Sequence, residues 1–177
     1  MKPDENTVDN NDLLHKMITR TDSYLNYANT KSTIIITFIT ALIAFVGAHA
    51  GNATHYLNER NYPELIIIFK ILLLINAVML IIGFYHAGKS VMPYTRPSAK
   101  NNIFSFIDII HHYPDEITYT QNIMSMDKEK VAESMISLQY NLSAGLVKKY
   151  EMHRKAIYFV LLSLVPLFIC LLILLFV

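Results

Sequence analysis

Three long apolar runs constrain this sequence more than any other feature. They cover residues 33–51, 65–87 and 157–177, and only the second contains a charged residue, Lys70. A helix of about 20 apolar residues crosses a hydrocarbon core of about 30 Å, so each run is long enough to span a bilayer. The sequence therefore predicts an all-α integral membrane protein with three transmembrane helices.

Basic residues beside these runs predict the orientation of the chain. The 52–64 segment has a single one, Arg60, whereas the 88–156 segment has nine. Lysine and arginine are concentrated in the cytoplasmic loops of membrane proteins. We therefore expect residues 1–32 and 88–156 to be cytoplasmic and residues 52–64 to form a short external loop. The N-terminus is then cytoplasmic, and the C-terminus lies at the outer face of the membrane.

The two cytoplasmic segments each contain an amphipathic helical pattern. In the N-terminal arm, alternating steps of four and three residues join Leu14, Ile18, Thr21, Leu25, Ala28 and Ser32. In the 88–156 segment, similar spacing joins Val131, Met135, Leu138, Leu142 and Leu146. Such spacing is typical of a helix with one apolar face. No helix breaker separates either stripe from its neighbouring apolar run, so we expect two long helices that extend from the membrane into a cytoplasmic helical bundle.

Two features predict a homo-oligomer. Both cytoplasmic stripes are too apolar to face water alone, so they must cover each other or pack against a second copy. The first apolar run also has a stripe of small and weakly polar residues, formed by Thr33, Thr37, Thr40, Ala44, Gly47 and Gly51. Two interpretations of this stripe stay open, close packing of helices or the lining of a pore between subunits. We assign Asn76 of the second run to the same interface group, with a hydrogen bond to a neighbouring helix.

Composition excludes several other classes of protein. A formal net charge of +1 argues against binding of nucleic acid through bulk positive charge. One cysteine, Cys170, permits neither a disulfide framework nor a cysteine zinc site. The adjacent residues His111 and His112 point about 100° apart on a helix, so we expect no metal site. No nucleophile and base at motif spacing and no phosphate-binding glycine loop are present, so we expect neither an enzyme nor a cofactor.

Three sequence blocks resemble one protein family. Residues 20–32 (RTDSYLNYANTKS), 103–110 (IFSFIDII) and 138–150 (LQYNLSAGLVKKY) are similar, in this order, to blocks of the transmembrane effectors of Pycsar, the bacterial pyrimidine cyclase system for antiphage resistance. The matching positions include Ala28, Lys31, Asp108, Gln139, Leu142, Ser143, Lys149 and Tyr150. The blocks and their flanking spans extend over about the whole chain.

The resemblance implies a role in antiphage defence. In an infected bacterium the partner cyclase makes cyclic UMP or cyclic CMP, and the effector senses this nucleotide through its cytoplasmic part. The effector then impairs the bacterial inner membrane, and the cell stops growing before the phage matures. Three alternatives stay open: a SLATT-type pore-forming effector of a cyclic-oligonucleotide system, a ligand-independent small channel, and a membrane anchor that recruits a cytoplasmic partner.

Nucleotide sensing requires a cation for the phosphate, an aromatic face for the base and a polar group for the edge of the base. The 88–156 segment contains all three types. The candidates selected for ligand binding are Arg96, Lys100, Phe104, Gln139 and Lys149, and further candidates are Lys128, Lys148, Tyr94, Tyr113, Tyr119, Tyr140, Asn101, Asn102 and Gln121. An alternative stays open for Lys148, Lys149, Arg154 and Lys155, which can simply form the basic collar of a cytoplasmic face.

Overall fold

A computed structural model describes residues 10–93, 97–98 and 101–177 of the chain. It contains five helices: α1 (Asn10–Glu59), α2 (Pro63–Val91), α3 (Phe106–His112), α4 (Glu116–Met124) and α5 (Lys128–Phe176). No strand occurs among these described residues. The helices α1, α2 and α5 are long and apolar enough to cross a membrane. The prediction of an all-α chain with three membrane-length apolar helices is therefore confirmed.

Helix α1 is a single helix of 50 residues that contains the described part of the arm, from Asn10, and the first apolar run. The six residues of the predicted arm stripe are all buried or half-buried. The helix continues beyond the apolar run and ends in a Schellman motif, in which the Tyr62 amide donates to the Leu57 carbonyl and the Asn61 amide to the Asn58 carbonyl. Asn61 adopts a φ of 60°, a left-handed conformation that asparagine tolerates. Pro63 then begins α2, where its missing N–H costs no helical hydrogen bond.

Helix α5 is the second long helix, and its 49 residues join the predicted 131–146 stripe to the third apolar run. Its first turn is capped by Asp127, whose Oδ1 accepts a hydrogen bond of 2.8 Å from the Lys130 amide. The five residues of the predicted stripe are buried or half-buried here too. Both long helices thus pass without a break from a charged segment into an apolar one.

The chain divides into two compact units, each containing parts of α1 and α5. The first unit comprises the residues up to Tyr27 together with Pro93–Lys148, and the second comprises Ala28–Met92 together with Lys149–Val177. In the second unit, α1, α2 and α5 pack through two apolar clusters. One contains Ile39, Leu80 and Val160, and the other contains Leu57, Phe69 and Cys170.

Gly83 of α2 allows a close approach of the helices in the second unit. A Cβ atom at this position would lie 3.4 Å from the Val160 Cγ2 atom and 3.5 Å from the Ala156 carbonyl oxygen. These are ordinary contact distances, so a single methyl group fits but a longer side chain does not. Gly88, one turn later on the same helix, has open space around the equivalent position.

Substitution Gly83→Leu should therefore destabilise the second unit, because the added atoms would separate α2 from α5. We expect a loss of about 1–3 kcal/mol, the usual cost of overpacking a core. Thermal unfolding in detergent, followed by helical circular dichroism, measures the effect. Gly88→Leu is the matched control and should leave the melting temperature almost unchanged, and Gly83→Ala should do the same. Equal destabilisation by both leucine variants would contradict the prediction.

Candidate functional site

In the first unit, Asp108 fixes the segment that leads into α3. Its side chain is almost fully buried and accepts a hydrogen bond of 2.7 Å from the Ser98 amide as well as one from the Ser98 hydroxyl. The Asp108 amide in turn donates to the Oγ atom of Ser105, the N-cap residue of α3. A buried carboxylate is stable when it accepts several hydrogen bonds. Asp108, one of the positions that match the family blocks, therefore holds the connection into α3 in place.

Asn102 attaches the same segment to α5. It is fully buried, and its Nδ2 atom donates a hydrogen bond of 2.9 Å to the Ser134 carbonyl oxygen. Its Oδ1 atom accepts one of 2.9 Å from the Phe104 amide, which closes a local turn. Both ends of the amide are thus engaged, so Asn102 acts as an anchor of the segment in this structure.

Two of the candidate tyrosines form a small polar core with neighbouring amides. The Tyr113 hydroxyl accepts a hydrogen bond of 2.6 Å from Asn101 Nδ2 and donates one of 2.9 Å to Asn122 Oδ1. The Tyr119 ring packs edge-on against Tyr113 at 5.1 Å, and its hydroxyl donates to the Ile103 carbonyl. The rings and amides of this core are occupied with each other. Among the described candidate rings of the first unit, those of Phe104 and Tyr140 are exposed.

An open apolar groove lies beside α3. It has a volume of about 450 Å³ and is lined by Pro97, Phe106, Ile107, Ile110 and His111. Phe106 and Ile110 are strongly exposed for apolar side chains. The groove can receive an apolar or aromatic group, and neither lysine nor arginine is among the described residues that line it.

Gln139 connects the two long helices within the first unit. Its Nε2 atom donates a hydrogen bond of 2.9 Å to the Thr21 hydroxyl and a longer one of 3.3 Å to the Ser143 hydroxyl. The Thr21 hydroxyl also donates to the Met17 carbonyl. This predicted ligand-binding residue therefore joins α5 to the arm in the structure.

Lys149 has a comparable role in the second unit. Its ammonium donates to Asn29 Oδ1 at 2.9 Å, to the Ser90 carbonyl at 2.5 Å and to the Met92 carbonyl at 3.3 Å. The last carbonyls of a helix lack intrahelical partners, and a cation stabilises them. Lys149 thus caps the C-terminal end of α2 with two of its hydrogen bonds and binds α1 with the third. Burial lowers the pKa of this lysine from its usual value.

Serine and histidine side chains extend this contact into a polar cluster formed by Asn29, Ser32, Ser90, Lys149 and His153. The buried Ser32 hydroxyl donates a hydrogen bond of 2.9 Å to the Ser90 hydroxyl. The Ser90 hydroxyl in turn donates one of 3.2 Å to the Lys149 carbonyl. The His153 Nδ1 atom lies 3.3 Å from the Ser32 hydroxyl. Burial and the nearby Lys31 charge lower the pKa of His153. This three-helix polar cluster connects α1, α2 and α5 through side chains and backbone carbonyls.

The small and polar stripe of the first apolar run is exposed along its whole length. All six of its residues are exposed, and nothing lies within 4 Å of a Cβ atom built at Gly47 or Gly51. The Thr33, Thr37 and Thr40 hydroxyls donate to backbone carbonyls one turn earlier. The helices of one chain therefore pack on another face of α1, the face that contains Ile39 and Leu57.

Asn76 lies inside the chain. It is 1% exposed, and its Nδ2 atom donates a hydrogen bond of 2.7 Å to the Ser163 carbonyl of α5. Pro166, three residues later, has no N–H to donate to the Leu162 carbonyl, which precedes the carbonyl that Asn76 binds. The expected hydrogen bond to a neighbouring helix is thus formed within one chain. The Oδ1 atom of Asn76 is buried without a partner.

Three candidates, Tyr94, Arg96 and Lys100, lie outside the described residues. Within the described parts of the chain, no group of three histidine, cysteine, aspartate or glutamate side chains could hold a metal ion. His111 and His112 lie edge-on to each other at 4.9 Å, as adjacent residues of α3.

The fold and these contacts define a class of protein: a small all-helical chain with three helices capable of crossing a membrane, linked by polar clusters. The family model for the Pycsar effector protein domain matches residues 13–176 of the 177 in the chain. The chain therefore belongs to the Pycsar effector family and is an antiphage effector. Membership implies coupling to a nucleotide cyclase through a cyclic nucleotide signal. No curated protein and no solved structure matches the chain.

Substitution Lys149→Met should destabilise the second unit, because it leaves the Ser90 and Met92 carbonyls without their charged donor. We expect a loss of about 1–3 kcal/mol, typical of removing hydrogen bonds to a charged group. The melting temperature in detergent measures it, and Lys155→Met provides the same chemical change at an exposed position. A Lys149→Met variant as stable as Lys155→Met would refute the capping role.

Acid should weaken the second unit through His153. Because the pKa of His153 is lowered in the folded chain, its neutral form is favoured, and this preference is fully present above the ordinary value of 6.5. It is lost as the pH falls through that value, so the melting temperature should drop between pH 7.5 and pH 5. His153→Asn should reduce the drop, whereas His111→Asn, at an exposed position, should not. Identical pH profiles of the wild-type and His153→Asn chains would exclude this origin.

Proposed function

We propose that this chain senses cyclic UMP or cyclic CMP and then impairs the integrity of the bacterial inner membrane. The observation that carries the proposal is the family match over residues 13–176. The partner in this proposal is a pyrimidine nucleotide cyclase, which makes the signal when a phage infects the cell. The proposed nucleotide contacts are those predicted from the sequence: Arg96, Lys100, Phe104, Gln139 and Lys149.

The continuity of the two long helices supports a mechanical route from signal to membrane. Each of α1 and α5 is one unbroken helix that contains both a charged segment and an apolar run. A helix transmits a tilt or rotation along its length because its backbone hydrogen bonds are continuous. A ligand that binds one packing of these helices better than another shifts the population toward that packing. The nucleotide must therefore bind the membrane-active state more tightly than the resting state.

The exposed stripe on α1 supports a homo-oligomer as the active form. Its hydroxyls are satisfied by the backbone, so the stripe tolerates lipid in the resting chain, and its small residues allow helices to approach closely. We propose that Thr37, Thr40, Ala44, Gly47 and Gly51 meet their counterparts in other copies. In this proposal Asn76 contributes indirectly, by holding α2 against α5.

Dye leakage from liposomes containing the purified chain tests the proposal. Cyclic UMP, cyclic CMP, cyclic AMP and a cyclic dinucleotide are added separately, and binding of each is measured on the same sample. Leakage triggered by one cyclic pyrimidine nucleotide alone is the expected result. Leakage without any nucleotide would favour a ligand-independent channel, and leakage with the dinucleotide alone would favour the SLATT-type alternative. Binding without leakage would favour the membrane anchor.

The variant Ala144→Pro tests whether helix continuity carries the signal. Ala144 is exposed on α5, so proline there breaks the helical hydrogen bonds without removing a packed side chain. We expect nucleotide-triggered leakage to fall at least tenfold while the chain remains in the membrane. Ala144→Ser, which keeps the backbone intact, should leak like the wild type. Full leakage by Ala144→Pro would show that the signal does not travel along α5.

A further inference from the structure

The first unit has two apolar stripes besides those that pack inside the chain. On the arm, exposed side chains at steps of four, seven and three residues are Leu13, Met17, Tyr24 and Tyr27. On α5, the corresponding residues are Ile136, Tyr140 and Val147, which are 56%, 74% and 58% exposed. Met135, Leu138 and Leu142 face the interior of the unit instead. We call the exposed sets the arm seam and the α5 seam.

The spacing of both seams is that of a coiled-coil contact. Apolar residues that repeat every 3.5 residues on average keep facing a partner helix along its length. Arg20 lies at the missing step of the arm seam, where its guanidinium stacks 5.5 Å from the Tyr24 ring. Exposure of large aromatic side chains in such a row is unfavourable, and covering them with another surface lowers the free energy.

The contacts inside each unit fix the relative register of the two helices. In the first unit the Thr21 side chain is hydrogen-bonded to Gln139, and the two residue numbers differ by 118. In the second unit Asn29 bonds Lys149 at an offset of 120, and Ser32 contacts His153 at an offset of 121. Within each unit, residues of α1 and α5 that differ by about 120 in number therefore lie at the same height along the paired helices.

This register makes the two seams complementary when they belong to different copies. Copies inserted in one orientation around an axis normal to the membrane have every residue at the same depth. At equal depth, Met17 meets Ile136, Tyr27 meets Val147 and the Arg20 guanidinium meets the Tyr140 ring, with offsets of 119 or 120. Arginine over a tyrosine ring is a favourable pair.

Charge at the end of the seams agrees with the same pairing. Lys31 follows the arm seam one turn after Tyr27, and Glu151 follows the α5 seam one turn after Val147, again at an offset of 120. Both side chains are exposed, and no ion pair joins them within the described chain. A neighbouring copy brings these opposite charges together, whereas pairing of two identical seams would bring like charges together.

We propose that the arm seam of one copy docks against the α5 seam of the next, in a head-to-tail ring held together outside the apolar runs. The inference rests on the homo-oligomer in the proposed function and adds a second interface, separate from the small stripe in the membrane. Because the contact is between two different surfaces, each copy uses its arm on one neighbour and its α5 on the other.

Disulfide cross-linking in native bacterial membranes tests this pairing. Two differently tagged full-length chains, both with Cys170→Ala, are co-expressed, one with Met17→Cys and the other with Ile136→Cys. A disulfide forms only when the Cβ atoms approach to about 4 Å. We expect a product containing both tags, at least fivefold above the pair Thr19→Cys and Ile136→Cys. Thr19 is an exposed neighbour of Met17 that points to another face of α1.

The same membranes separate failure of this inference from failure of the proposed function. Oxidation is carried out without nucleotide, with cyclic UMP and with cyclic CMP, alongside a chain with Thr40→Cys that reports on the membrane stripe. Cross-linking at Thr40 without a Met17–Ile136 product in any condition would overturn the seam and leave the proposed oligomer intact. The absence of both products would overturn the oligomer as well.

A charge exchange gives a second, independent measurement. Lys31→Glu alone or Glu151→Lys alone places like charges at every junction, and each should lower the association constant on native gels about fivefold. Co-expression of the two single variants should restore assembly, because each altered arm then meets an altered α5 of opposite charge in the neighbouring copy. If Lys31 and Glu151 paired within one chain, co-expression of the two variants would not restore assembly. Co-expressed variants that assemble no better than either variant alone would therefore overturn the proposal.

Discussion

The absence of hydrogen-bonding partners in hydrocarbon is the constraint on which the rest of this structure depends. Every backbone N–H and C=O group at membrane depth must be paired within the protein, so the apolar runs must be helical. The same requirement explains the polar side chains of these helices. The Thr37 and Thr40 hydroxyls donate to their own helix, and Asn76 donates to Ser163 in the turn before Pro166. Polar groups therefore occur in these runs where a carbonyl is available to accept from them.

At the C-terminal end of α2, a charged side chain supplies the hydrogen-bond donors that the backbone carbonyls need. The last carbonyls of this helix have no helical partners, and the Lys149 ammonium of α5 binds two of them together with the Asn29 side chain of α1. One side chain thus joins three helices at a position where the backbone itself needs a donor. The lysine loses part of its hydration when it is buried, which is unfavourable, and the hydrogen bonds that cap the helix offset this cost. The net free energy of this interaction is a small difference between large terms, which suits a contact that rearranges in the membrane-active state of the proposed function.

Periodic features were predictable from the sequence, and non-periodic contacts were not. The three apolar runs and the stripe from Leu14 to Ser32 were predictable because helical spacing is a local signal, and all six stripe residues are buried or half-buried. The sequence predicts that Lys149 binds phosphate or forms a basic collar, but it does not predict the cap on α2, which uses a carbonyl 59 residues away. Asn102 likewise bonds a carbonyl 32 residues away. No local pattern encodes such distances, so these contacts of the two units follow only from the folded chain.

In the proposed function, α1 uses different faces for packing, assembly and signalling. One face, with Ala28 and Ile39, is buried in the chain, and a second, with Thr40 and Gly47, is small, polar and exposed. The third bears the exposed aromatic side chain of Tyr27. In the proposed function, a rotation of α1 that improves packing on one face also changes the contacts of the others. In the proposed function, a nucleotide therefore needs to alter only the packing of α1 to change how copies meet in the membrane.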